Sequence, residues 1–296
     1  MNFNIETYLN SLSEDTEVID ISCENLNYFP DLLRFKKLKE LNCSHNNLTF
    51  LSPLNKTLEK LICCCNKLTS LPFFNETLKV LECSNNQLTF LPELNEELKY
   101  LYCSNNQLTY LPILNKKLEI LYCNNNKLSL LPNLNENLKT LNCSYNKLLY
   151  LPALNKTLKE LNCSRNQLSS LPILNENLKL LYCSSNQLSY LPTLNEKLEA
   201  IKYNNNPIYK ILEKINYSNN INGRENIDKI IKSINILNIF RYLYYSLKFK
   251  KIFRDLLYLK IREPKIKDKY HPKYLLENLN EESNLDDILD NWTISN

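Results

Sequence analysis

Leu98-Lys99-Tyr100-Leu101-Tyr102-Cys103-Ser104-Asn105-Asn106-Gln107-Leu108 decides the fold, because it is one copy of a unit written eight times in strict register. Leu recurs at Leu41, Leu61, Leu81, Leu101, Leu121, Leu141, Leu161 and Leu181, a period of 20 without a slip. Cys follows two residues later in every copy, from Cys43 to Cys183. Asn recurs from Asn46 to Asn186 and on to Asn206, and a further Leu from Leu48 to Leu188. Leu-Pro pairs run from Leu71-Pro72 to Leu191-Pro192. A fixed period of this length is the mark of a solenoid.

The alternation of apolar and polar residues around Leu101 and Cys103 is that of a strand. A strand of three or four residues cannot hold itself together, but one per repeat, stacked, makes a parallel sheet over a continuous leucine core. A buried Asn column suits such a stack, since the amide supplies donors and an acceptor to loop backbone groups that lack a ladder partner. The remaining segment, such as Thr109-Tyr110-Leu111-Pro112-Ile113-Leu114-Asn115, is too short for a full helix, and its Pro favours an extended return.

The pattern L-x-x-L-x-L-x-x-N-x-L, with Cys in the third apolar slot, closely resembles the leucine-rich repeat family over roughly Ile21 to Ile208. The resemblance implies an α/β repeat solenoid, with a parallel sheet on the concave face, short extended or turn segments on the convex face, and a helical region after it. The short Leu-Pro repeat also resembles repeats of secreted bacterial effectors. The expected organisation is an N-terminal cap and degenerate repeat over 1–37, eight repeats over 38–197, a partial repeat over 198–208, and a basic helical region with an acidic tail over 209–296. In the degenerate unit Ile21, Cys23 and Asn25 are read as the strand side, and Phe29-Pro30 arrives two residues early.

Nine of the 11 Cys, Cys23 included, are expected to fill one inward column as small, reduced, buried hydrophobes. Cys64 and Cys65 break the pattern. Cys64 should point outward, and Cys65 takes the column that His45 fills one repeat earlier, so the three can approach one another. A metal site needs more than three loosely placed ligands, so ordinary substitution drift is the preferred reading, and no metal or cofactor is expected.

On the concave face the residues flanking each repeat Leu point outward. In the middle they are aromatic and aliphatic. Tyr100, Tyr102, Ile120 and Tyr122, with Leu180 and Tyr182 further along, are the expected contacts for a protein partner, because Tyr buries area at low entropic cost and keeps a polar handle. A second column, Phe50, Phe90, Tyr110, Leu130, Tyr150 and Tyr190, precedes the Leu-Pro leucine and is expected to pack along the return segment.

After Ile208 the composition changes. Tyr209 to Tyr217 reads as a short helix and Asn219 to Gly223 as a loop. From Arg224 to about Ile261, Ile230, Ile234, Leu237, Phe240 and Tyr244 fall at helical spacing. Between Arg241 and Lys273 there are 11 Lys or Arg against Asp255, Glu263 and Asp268. Such a stretch either docks on the open solenoid end with a solvated basic face, the preferred reading, or meets a membrane surface or nucleic acid. Tyr270-His271-Pro272-Lys273-Tyr274-Leu275-Leu276, with the Asn, Lys, Ile and Tyr bias, resembles leucine-rich repeat proteins of Mimivirus-type giant DNA viruses of amoebae. That resemblance implies a host protein as partner and the host cytoplasm as location.

Several function classes are disfavoured. Gly223 is the single Gly, so a glycine-rich phosphate cradle cannot be built. His45 and His271 are the only His, which leaves little for zinc hydrolases or Ser-His-Asp chemistry. No Cys follows Cys183, so a thioester ligase in the C-terminal region has no nucleophile. The net charge of +4 is mild. Met1 to Asp15 lacks the pattern of a secretory leader, and no run of apolar residues is long enough to span a bilayer. The reading is a non-catalytic interaction module. The alternative is an adaptor whose basic C-terminal region contacts membrane or nucleic acid.

Overall fold

The computed structural model describes residues 4–209 and 224–245. Ten three-residue strands stack in sequence order into one parallel sheet. They are β1 (Val18–Asp20), β2 (Glu40–Asn42), β3 (Lys60–Ile62), β4 (Val80–Glu82), β5 (Tyr100–Tyr102), β6 (Ile120–Tyr122), β7 (Thr140–Asn142), β8 (Glu160–Asn162), β9 (Leu180–Tyr182) and β10 (Ala200–Lys202). The sheet and its repeat make the chain a leucine-rich repeat solenoid. Each central residue points inward, so Leu41 pairs with Leu61, Leu61 with Leu81, and so on to Ile201. Leu58, Leu68, Leu78 and their equivalents join them in one unbroken core along the stack.

Two residues past each strand's Cys the backbone turns left-handed. His45, Cys65, Asn85, Asn105, Asn125, Tyr145, Arg165, Ser185 and Asn205 all have φ between 54° and 57°. Asn tolerates this region best among residues with a side chain, which accounts for its frequency there. The next residue is the buried Asn. Asn126 shows its work: Nδ2 donates to Cys103 O (3.0 Å) and Cys123 O (3.1 Å), while Oδ1 accepts from Leu108 N (3.0 Å). The Asn therefore bridges its own rung and the preceding one. A second Asn ladder lies on the return side, where Asn135 Nδ2 donates to Asn115 O (2.6 Å) and Leu118 O (3.0 Å).

The first rung corrects one expectation. β1 pairs Ile19 with Leu41, a spacing of 22 and not 20. Ile21, not Cys23, then falls in the inward Cys column, where it is fully buried. Cys23 moves to the left-handed column with φ 61° and is exposed. Its N–H donates to Ser44 O, as that of His45 donates to Cys64 O, both at 3.0 Å. The physical reason is volume and polarity: Ile19 and Ile21 flank Asp20, and only this register buries both. The inward Cys column therefore holds eight thiols, Cys43 to Cys183, each at 0% exposure.

The second apolar column also differs from expectation. Its members share one line, but all are open to solvent, from Tyr190 at 37% to Tyr150 at 58%.

Both ends are capped. Helix α1 (Ile5–Ser11) starts at Asn4, whose Oδ1 accepts from Thr7 N (3.0 Å), and buries Ile5 and Leu9. Helix α2 (Arg224–Tyr245) lies against the last full repeat. Ile230, Ile231 and Ile234 are buried. Asn235 accepts from Leu194 N (2.9 Å) and donates to Leu194 O (3.1 Å), and Asn238 donates to Leu191 O (2.8 Å). These amides satisfy the return backbone of the terminal repeat. The expectations for the helix and loop beyond Tyr209, the basic stretch beyond Tyr245 and the acidic tail lie outside the described residues.

Candidate functional site

The outward residues of the strands form the concave face, and most of them are half-buried by their neighbours. β5 and β6 set Tyr100 beside Ile120 and Tyr102 beside Tyr122. The two rings of the second pair meet edge to face, with centroids 5.3 Å apart and planes at 78°. That is a favoured aromatic geometry and fixes both rings. Four of the six expected residues thus form one apolar patch.

Leu180 and Tyr182 stand apart from it on β9. β7 and β8 lie between, carrying Thr140, Asn142, Glu160 and Asn162. Asn142 Oδ1 accepts from Ser144 Oγ (2.8 Å), and Asn162 Oδ1 from Ser164 N (3.1 Å), so these rungs direct an amide oxygen to their own loops. The face has two aromatic patches with a polar strip between them.

Charge sits at the patch margins. Burial, first, and then the Glu82 carboxylate and the Tyr122 and Tyr100 hydroxyls hold the Tyr102 phenol above its ordinary value of 10.0. It stays protonated at neutral pH and able to donate. Lys202 places its ammonium 5.2 Å from the Tyr182 ring centroid, a cation–π contact. The sequence reading did not single out Lys202, although the spacing from 182 to 202 places it on the next rung.

Chemistry on the inward side is muted. Burial pushes the Cys143 and Cys183 thiols up to about 12 and the Cys103 and Cys123 thiols well above the usual 9.0. A nucleophile needs the thiolate, and this column suppresses it. Among the described residues one group could hold a metal: the ligand atoms of His45, Cys64 and Cys65 all lie within 4.8 Å of one another. Cys64 is half-buried, not fully outward, and burial, the Cys65 thiol and the Glu82 carboxylate push it up to about 11. No helix of the described residues is long and apolar enough to cross a membrane.

No family model and no curated protein matches the chain. Solved structures do. YopM from Yersinia enterocolitica is 31% identical with a TM-score of 0.58, over 62% of this chain and 45% of that one. YopM from Yersinia pestis, a leucine-rich effector protein, is 34% identical with a TM-score of 0.60, over 62% of this chain and 54% of that one. InlJ from Listeria monocytogenes, whose functional domain includes a cysteine ladder, is 31% identical with a TM-score of 0.57, over 65% of this chain and 45% of that one. The chain thus spans about half the length of these structures or somewhat less. In this chain the inward column from Cys43 to Cys183 places one buried thiol on each of eight successive rungs.

Proposed function

We propose that the chain is a non-catalytic interaction module that binds a protein partner on its concave face, centred on Tyr100, Tyr102, Ile120 and Tyr122, with Leu180 and Tyr182 as a second contact. The observation that carries this reading is the edge-to-face pair of Tyr102 and Tyr122 on adjacent strands, flanked by Tyr100 and Ile120. A few rigid central aromatics usually dominate interface energy. These residues are not needed to close the core, since the inward leucines do that. The sequence resemblance to giant-virus proteins of amoebae makes a protein of the host cytoplasm the partner to test first.

The experiment compares the parent chain with the variant carrying Tyr100→Ser, Tyr102→Ser and Tyr122→Ser, both used to capture partners from amoebal lysate. The triple variant should keep the parent's circular dichroism and lose most of the capture. Full capture by it overturns the concave site. A second variant, Lys248→Glu, Lys250→Glu and Lys251→Glu, tests the adaptor alternative. Loss confined to that variant, and mimicked in the parent by added salt, moves the function to the basic C-terminal region.

A further inference from the structure

We propose that His45, Cys64 and Cys65 form a binding site for a thiophilic divalent cation, with zinc as the physiological candidate. Three departures from the repeat coincide in two adjacent rungs. The left-handed position is Asn85, Asn105, Asn125 or Asn205 in four of the other rungs and Cys23, Tyr145, Arg165 or Ser185 in the rest, and here two side chains able to ligate a metal, His45 and Cys65, both at φ 55°, follow one another on adjacent rungs beside Cys64. The position before it is Ser44, Ser84, Ser104, Ser144, Ser164 or Ser184 in six rungs and Asn124 or Asn204 in two more, yet here it is Cys64. The rungs are held in register by the His45 N–H, which donates to Cys64 O, and by the Cys65 N–H, which donates to Ser84 O, each at 3.0 Å. The backbone therefore fixes where the three side chains start.

Their ligand atoms lie within 4.8 Å of one another. Around one zinc ion, with bonds of roughly 2.0–2.3 Å, tetrahedral S and N ligands sit about 3.3–3.8 Å apart. Small side-chain rotations close that gap, and exposed His45 and half-buried Cys64 and Cys65 have room to make them. Two sulfurs and one imidazole suit zinc over magnesium or calcium, which prefer oxygen. Three protein ligands and a position left for water is a recognised zinc arrangement, so a fourth residue is not required. The Glu82 carboxylate on the next rung adds negative charge beside Cys64. Binding replaces each thiol proton by a metal–sulfur bond: one divalent ion enters, one proton leaves from each Cys, and the imidazole binds neutral. No oxidant is involved.

The test titrates the full chain, kept reduced with a phosphine, with cobalt(II) as a visible stand-in for zinc. The parent should develop a thiolate-to-cobalt charge-transfer band that zinc bleaches, with proton release on binding. Cys64→Ser, Cys65→Asn and His45→Asn each install the residue that other repeats carry at that position, so each should keep the parent's circular dichroism. Each should weaken cobalt binding by at least about tenfold, the lower end of what loss of a mere supporting contact costs a metal site. Absence of the band, or parent-like affinity in any one of the three variants, overturns the proposal.

Discussion

Leu101 and Tyr102 are neighbours in β5, yet they belong to columns with different rules. The column through Leu101 runs Ile19, Leu41, Leu61, Leu81, Leu101, Leu121, Leu141, Leu161, Leu181 and Ile201, aliphatic at every rung. The column through Tyr102 runs Asn42, Ile62, Glu82, Tyr102, Tyr122, Asn142, Asn162, Tyr182 and Lys202. The backbone imposes the same conformation on both, so the difference comes from what each column touches. Inward, every rung meets the same volume and must fill it alike. Outward, each rung meets solvent or a partner, and the residue is free to vary. The outward identities are therefore the ones that folding does not demand.

The strongest way to break this contrast is alkaline titration. Thiols such as Cys43, Cys143 and Cys183 are held at about 12 in the fold against an ordinary 9.0. A group whose pKa is raised on folding contributes its full stability below the unfolded value and loses it as pH rises through the folded one. The inner column should therefore be fully stabilising below 9.0, and the urea midpoint should fall steeply from there towards about 12. A midpoint that stays flat over that window contradicts a buried, reduced column. Next, Leu121→Ala should cost roughly 2–5 kcal/mol in urea unfolding. Asn126→Ala should cost on the order of 1–3 kcal/mol, since it strands Leu108 N and leaves the Cys103 and Cys123 carbonyls with one donor each, Asn106 and Asn146. The smallest effect belongs outside: Tyr102→Ser should shift stability by about 1 kcal/mol or less, the span of strand propensity. Equal losses for Tyr102→Ser and Leu121→Ala would erase the division between the layers.

The period of 20 makes the sheet, the inward leucines and a backbone-satisfying role for the Asn column readable in the sequence, and the structure adds that Asn126 bridges two rungs. The first rung was not readable the same way. Matching Cys to Cys put Cys23 in the column, whereas the sheet pairs Ile19 with Leu41 because two isoleucines around an aspartate make the better inward face. Helix α1 has a local signal in the sequence, a capping Asn4 followed by Ile5 and Leu9 at helical spacing, which the period of 20 does not reach. The second Asn ladder, with Asn135 among its members, was hidden because its partners are backbone carbonyls of the preceding repeat, and sequence spacing does not show which carbonyls face a side chain. For the concave patches, composition showed which residues point out. It did not show that Tyr182 pairs with Lys202 while Tyr102 pairs with Tyr122, which depends on side-chain rotamers.

The direction of the Asn bridges gives the stack a polarity of fraying. Each Asn serves the rung before it: Asn206 accepts from Leu188 N and donates to Cys183 O. Peeling away the first rung takes the Ile21 carbonyl and Leu26 N–H from Asn46, but the second rung's own loop amide, Leu48 N, keeps its partner in Asn66. Peeling away the last leaves Leu188 N stranded inside the loop that remains, while Cys183 O keeps Asn186 as its donor. The solenoid is thus a zip with its slider at the C-terminal end. α2, clasping Leu191 and Leu194, sits where unzipping would begin.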